Sequence, residues 1–162
     1  MLKLKSTLYT LLIVALVTSL SACGGSGGDD GPSLTPEEQR LLDLAGSSGT
    51  TWTPTSITFE GAPAEGFDNF QLTLRGTDPN STLNYTSTDG DPIFQASGTW
   101  TLTGLNTIEI DGNSTNVFNI SNLNTDVSPA TLTLQVNFTS GGGVAAGVMG
   151  TDGNYIFNLQ AQ

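Results

Sequence analysis

The chain has 162 residues, four Lys and Arg against fifteen Asp and Glu, a formal net charge of −11, no histidine and one cysteine. Without histidine the commonest general base and the commonest transition-metal ligand are gone. The negative charge, with no basic cluster to offset it, repels phosphate backbones and excludes nucleic acid as a partner.

In chain order, Lys3 and Lys5 precede an apolar run from Leu8 to Val17, and then come Leu20-Ser21-Ala22-Cys23. A basic start, a short apolar stretch and small residues at a cut site are the layout of a secretory signal peptide. The run is shorter than the roughly 20 apolar residues that a membrane span needs. A branched aliphatic residue, two small residues and the sole cysteine resemble the lipobox of bacterial lipoproteins. That resemblance implies a signal peptide over residues 1–22, cleavage between Ala22 and Cys23, diacylglycerol on the Cys23 thiol and an acyl chain of the palmitate type on the new amino terminus. One acyl chain holds a membrane only marginally, at about 10⁴ M⁻¹, whereas two or more hold it stably. The expected membrane contact is therefore the lipid anchor.

Gly24, not aspartate, follows the cysteine; by resemblance to the sorting rule of bacterial lipoproteins, the destination is the outer membrane. Asp29-Asp30 resemble the acidic tether signals that send lipoproteins of Bacteroidota to the cell surface, so the domain is expected on the periplasmic or the cell-surface side. Residues 23–33 are rich in Gly, Ser and Asp, with nothing apolar to bury after the cysteine, and read as a flexible tether. Beyond the tether, Arg40 and Arg75 are the only cations, and no thiol, histidine or lysine remains. No cofactor, no metal and no enzymatic activity are expected; a carboxylate pair is the only common catalytic device left.

The folded domain is expected over residues 34–162. Thr35-Pro36-Glu37-Glu38 is a helix start: Thr35 suits the N-cap, Pro36 the first turn, and Glu38 completes a capping box. The helix runs from Pro36 to Ala45 with Leu41, Leu42 and Ala45 on one side, and Gly46 ends it. From Trp52 onward the period is two. Phe70, Leu72 and Leu74 alternate with polar residues, as do Leu83 and Tyr85, Trp100 and Leu102, Ile108 and Ile110, Phe118 and Ile120, Leu132 through Phe138, and Tyr155 through Leu159. Such alternation marks strands with one buried face. Short turns rich in Gly, Asp, Asn and Pro separate them, at 76–80, 89–92, 111–113, 141–143 and 152–154. Successive short connections give antiparallel neighbours and an all-β domain: a small up-and-down β-barrel of about eight strands behind a short N-terminal helix, or alternatively a β-sandwich.

The order of these segments resembles the lipocalin-like, calycin-type lipoproteins of Bacteroidota: a Pro-Glu-Glu helix, Ala45-Gly46, a first strand with Trp52 and Ile57-Thr58-Phe59-Glu60-Gly61, then Asp91-Pro92-Ile93-Phe94, Ser97-Gly98-Thr99-Trp100-Thr101-Leu102 and a closing Gly153-Asn154-Tyr155-Ile156-Phe157-Asn158-Leu159. The resemblance covers about residues 33–162 and implies a small antiparallel barrel with the helix packed near one end. The chain departs from true lipocalins in one respect. Their first strand carries Gly-x-Trp, whereas here Trp52 follows Gly49-Thr50-Thr51, and Gly98-Thr99-Trp100 puts the string on a later strand.

Candidate ligand contacts are Trp52, Arg75 and Tyr85. Trp52 lies out of phase with Ile57 and Phe59 unless Pro54 bulges the strand; it either seals the barrel base or lies partly exposed. Arg75 ends a strand on its polar phase, placed for a ligand carboxylate at a barrel mouth or for a surface ion pair. Asp78 with Asn80 and Asp89 with Asp91 offer oxygen ligands in two loops but lack calcium-loop spacing and read as turns. Glu60, Glu65 and Glu109 show no spacing suited to a glycosidase pair. Two functions remain open. One is a tethered barrel that holds a small apolar or sugar ligand. The other is a non-catalytic structural protein whose filled barrel meets an envelope partner. A monomer is expected in either case.

Overall fold

A computed structural model describes residues 33–140 and 152–162; Ala22, Cys23, the tether up to residue 32 and the expected turn at 141–143 lie outside the described residues. Leu34–Gln162 forms one unit. Its first element is α1 (Pro36–Ala45). The Thr35 hydroxyl accepts the Glu38 N–H at 3.2 Å, and the Glu38 carboxylate accepts the Thr35 N–H at 2.7 Å, so the capping box forms as expected. Gly46 closes the helix at φ 61, with its N–H on the Leu42 carbonyl. The buried face is Leu41, Leu44 and Ala45, not Leu42, which is 42% exposed. At about 100° per residue, Leu44 and Ala45 flank the direction of Leu41, while Leu42 points a quarter-turn away.

Nine strands follow: β1 (Thr50–Phe59), β2 (Ala62–Pro63), β3 (Gln71–Arg75), β4 (Leu83–Thr88), β5 (Ser97–Gly104), β6 (Thr107–Ile110), β7 (Val117–Asn124), β8 (Thr131–Phe138) and β9 (Gly153–Ala161). All pairings are antiparallel. The β2 strand is a two-residue arm folded back on the end of β1, β3 pairs with the start of β1, and β9 returns to β1 along most of its length. The other eight strands therefore close into an up-and-down barrel, which settles the choice against the sandwich. Closure joins what would be the two edges of an open sheet. The expected turn at 152–154 is in part strand, because Gly153 and Asn154 already pair with Phe138 and Asn137.

Up-and-down order sorts the loops onto two rims. The helix rim carries the start of β1, the turns β3–β4, β5–β6 and β7–β8, and the end of β9. The far rim carries the end of β1, β2, the segment leading into β3, and the turns β4–β5 and β6–β7. Helix α1 lies on the first rim against β1, β3 and β5. It is fixed there by Trp52 Nε1, which donates to the Leu44 carbonyl at 2.9 Å, and by Arg40, which donates to Asn106 Oδ1 at 3.1 Å.

Three register shifts govern which side chains face in. They fall between Pro54 and Ser56, between Leu102 and Gly104, and between Ile120 and Asn122. An extra residue in one strand flips the parity of everything beyond it. The first shift, with Thr55 as the extra residue, lets both Trp52 and Ile57 point inward, at 0% and 8% exposure. The shift after Ile120 likewise puts Leu123, not Asn122, against the core.

The core joins alternating strand residues to residues from loops. Leu72, Leu74, Leu83, Tyr85, Trp100, Phe118, Leu132, Leu134 and Phe157 are buried, as alternation predicts; Phe59 and Leu102 are only partly buried. Phe67, Phe70, Ile93 and Phe94 enter from outside the strands. Buried Asn116 closes the far rim between β7 and β8. Its Nδ2 donates to the Thr139 carbonyl at 3.2 Å, and its Oδ1 accepts the Thr139 N–H at 2.9 Å, so both halves of the buried amide are satisfied.

Trp100 is 1% exposed, and its Nε1 donates to the carbonyls of Asn84 and Arg75 at 3.1 and 3.2 Å. Trp100→Ala should cost about 3–5 kcal/mol, as emptying a core aromatic site does. Urea unfolding followed by far-UV circular dichroism measures it; a midpoint equal to wild type would mean that the ring contributes nothing to the core.

Candidate functional site

The natural place for a ligand in a small barrel is its interior, and here aromatic rings occupy the half toward the far rim. Phe94, delivered by the β4–β5 turn, has ring-centroid distances of 4.8 Å to Phe118, 5.5 Å to Phe157 and 5.6 Å to Phe70. Phe67 stands edge-on to Phe157 at 5.6 Å and to Phe70 at 6.0 Å. Tyr155 links the set to Phe59 at 4.8 Å and to Phe138 at 6.3 Å. Most of these pairs are tilted or edge-to-face, the arrangements that aromatic quadrupoles favour. At the helix rim, Leu41, Leu44 and Ala45 of α1 pack with Trp52 into the same core.

Trp52, Arg75 and Tyr85 do not converge. The Trp52 indole is spent on the helix backbone. Arg75 lies on the outer wall with Nη1 donating to Thr86 Oγ1 at 3.3 Å. Its stem covers Gly49, which has a φ of 103 and where a Cβ would come within 2.9 Å of Arg75 Cγ. The partner found for Arg75 is thus a hydroxyl where the sequence offered a carboxylate.

Tyr85 has the most organised polar environment. Its ring is buried, and its hydroxyl donates to Asp111 Oδ2 at 2.7 Å. The other carboxylate oxygen of Asp111 accepts the Thr99 N–H at 2.8 Å, and the Asp111 N–H donates to the Thr99 carbonyl at 2.8 Å. Asp111 itself sits at φ 53, just past β6. Gly98 makes the approach possible, since a Cβ there would come within 2.7 Å of the Tyr85 ring. Burial, then the hydrogen bond to Asp111 and the negative charge of that carboxylate, hold the phenol's pKa well above its ordinary value.

Glu60 and Glu109 are held apart. Glu60 follows β1 and Glu109 lies on β6, four strands away around an eight-stranded wall and so on the opposite side. Glu60 Oε1 accepts the Asn154 N–H at 2.7 Å, which pins β9 to the β1–β2 turn. Asp78 Oδ1 accepts the Asn80 N–H at 2.8 Å on the helix rim, whereas Asp89 accepts from Asn69 on the far rim. The two oxygen-rich loops therefore cannot share an ion. Asp152 Oδ1 accepts both the N–H and the hydroxyl of Ser140 at 2.7 Å, and these bonds lower its pKa.

Three clefts among the described residues lie outside the barrel. One is between α1 and the β3–β4 turn, lined by Leu34, Leu42 and Thr77. A second, between α1 and the β5–β6 turn, is lined by Pro36, Arg40 and Leu105. The third is where β1 parts from the β2–β3 segment, by Pro54, Ile57, Phe67 and Asp68. The outer wall over β8, β9 and β1 is a mesh of neutral side chains: Thr133 donates to Asn158, and Asn158 donates to Ser56, at 3.1 and 2.9 Å.

Alternation alone overlooked Phe67, Phe94 and the Tyr85–Asp111 pair. The available signal was a large aromatic inside a turn segment, as in Gly66-Phe67-Asp68 and Asp91-Pro92-Ile93-Phe94, where a residue that costs so much to expose has to fold inward. No protein family, curated protein or solved structure matches the chain. The fold defines it as a small closed antiparallel β-barrel with a helix across one end.

The raised Tyr85 pKa has a consequence for stability. The unfolded chain releases that proton near pH 10, while the folded protein still holds it, so stability is lost as pH rises above about 10. Tyr85→Phe should cost about 1–2 kcal/mol at pH 7 through the lost hydrogen bond. The deficit should shrink above pH 10, by at most about 1.4 kcal/mol per pH unit. Urea midpoints of both proteins from pH 7 to 11.5 test this; a constant deficit would show that the phenol ionises equally well folded and unfolded.

Proposed function

We propose that the chain is a lipid-anchored envelope protein whose barrel is a packed, non-catalytic scaffold that presents its outer surface to a partner. The observation that carries the scaffold reading is the contact network of Phe67, Phe70, Phe94, Phe118 and Phe157, which puts side chains where a ligand-holding barrel keeps space. An eight-stranded barrel is just wide enough to be filled or to hold one small molecule, and here the rings take the volume. The polar tips of Trp52, Trp100 and Tyr85 are also satisfied within the fold, so none is held ready for a ligand. Support for the anchor comes from Leu20-Ser21-Ala22-Cys23 after a short apolar run. The outer membrane, on its periplasmic or surface side, is the location this reading assigns. The absence of catalysis rests on a chain with no histidine and, after cleavage, no free thiol or lysine.

Two measurements test the reading. Cys23→Ser should abolish acylation and leave uncleaved precursor in membrane fractions; mature-size protein that still partitions with lipid would overturn the anchor. Native mass spectrometry of the wild-type protein, extracted in mild detergent, should give the mass of the acylated chain with no stoichiometric small molecule. A tightly held ligand would overturn the scaffold and favour the binding barrel.

A further inference from the structure

The exposed large apolar side chains among the described residues are Leu34, Leu42, Leu105 and Val127, each 42–49% exposed. Singly scattered exposed apolar residues need no explanation, but these four share one end of the molecule. Leu34 immediately precedes the cap of α1, Leu42 is on its outer face, Leu105 is in the β5–β6 turn and Val127 in the β7–β8 turn, all on the helix rim. Leu34 and Leu42 line one cleft beside α1, and Leu105 lines the other.

Acids are present at both ends, whereas the two cations are at one. Both arginines are at this end, Arg40 on α1 and Arg75 as the last residue of β3. The helix rim also holds Glu37, Glu38, Asp43, Asp78 and Asp126; the far rim holds Glu60, Glu65, Asp68, Asp89 and Asp91, among other acids, and neither arginine. The described chain also starts at the helix rim, at Ser33, only ten residues from Cys23.

We propose that the helix rim is a membrane-docking surface. Leu34, Leu42, Leu105 and Val127 enter the headgroup layer of the phospholipid bilayer that holds the Cys23 lipid, and the far rim points away. This rests on the lipid-anchor reading. The length of the leash chooses the occupant. Ten residues span at most about 33–36 Å, and a barrel with strands of this length, tilted in its wall, stands roughly 25 Å tall. Bringing the far rim to the lipid would use nearly the whole leash along the wall and leave these four apolar side chains in water. With the helix rim down, the leash is slack, and the apolar side chains sit at the headgroup boundary, where binding strengthens with the apolar area buried.

Because acylation consumes the Cys23 thiol, a new cysteine is the only free thiol in the intact lipidated protein. Leu105→Cys, Val127→Cys and, on the far rim, Glu65→Cys would each carry an environment-sensitive fluorophore on protein reconstituted into vesicles of phosphatidylethanolamine and phosphatidylglycerol. Doxyl-labelled phospholipid should quench the probes at 105 and 127 at least threefold more than the probe at 65, and aqueous iodide should show the reverse order. Equal quenching at all three positions on protein that floats with the vesicles would overturn the docking and leave the anchor intact. Probes at 105 and 127 shielded from iodide yet unquenched by lipid would place a protein, or a second copy of this chain, on the rim and would also overturn it. Protein that neither floats nor carries acyl mass on Cys23 would remove the anchor, and the docking with it.

Discussion

Everything in this fold depends on β9 returning to β1. That pairing turns a meander into a closed wall, and it works only because β1 changes parity partway along. Pro54 brings no N–H to a ladder, and the extra residue Thr55 lets the register shift between Pro54 and Ser56,. Without the shift, either Trp52 or Ile57 would face water. With it, the first half of β1 supplies the indole that holds the helix, and the second half supplies the aliphatic floor under Phe67. One irregularity thus serves both ends of the barrel.

Much of the wall was legible in the sequence because hydrophobic alternation is a direct record of which face is wet. Leu132, Leu134, Val136 and Phe138 are buried where period two puts them. The capping box at Thr35 and Glu38 was legible for a similar reason, since its chemistry is local. Leu42 was misplaced because three apolar residues in a short helix allow two faces, and only docking on the barrel selects one. Phe67 and Phe94 escaped because strand periodicity is silent about residues between strands. Asp111 escaped because its partner is 26 positions away, a distance that only the β4–β5–β6 meander closes.

The candidate site shows the same division. Trp52, Arg75 and Tyr85 share amphipathic chemistry, which makes each a plausible ligand contact in one dimension. In three dimensions the first meets a helix carbonyl, the second a threonine on the outer wall and the third a carboxylate past β6. Polar tips on large buried rings need partners wherever they land, and this barrel supplies those partners itself. Its outward neutrality over β8, β9 and β1 is a separate matter. Thr, Asn and Ser bonded to one another present a surface with little charge for a partner to match, on a molecule whose charge is otherwise concentrated at its rims.

The span between the strands that close the wall also constrains when folding can occur. Residues 52–59 find their partners at 155–161, about a hundred positions later, so contacts of the longest range come last in synthesis and nothing local can substitute for them. Until β9 is available, β1 and β8 lack the strand that joins them, and the ring cluster lacks Tyr155 and Phe157. That delay keeps the barrel from locking before the last strand is available. The same delay leaves those two strands exposed to neighbouring chains, which makes the interval between emergence and closure the period in which this protein most needs to be kept apart from its own copies.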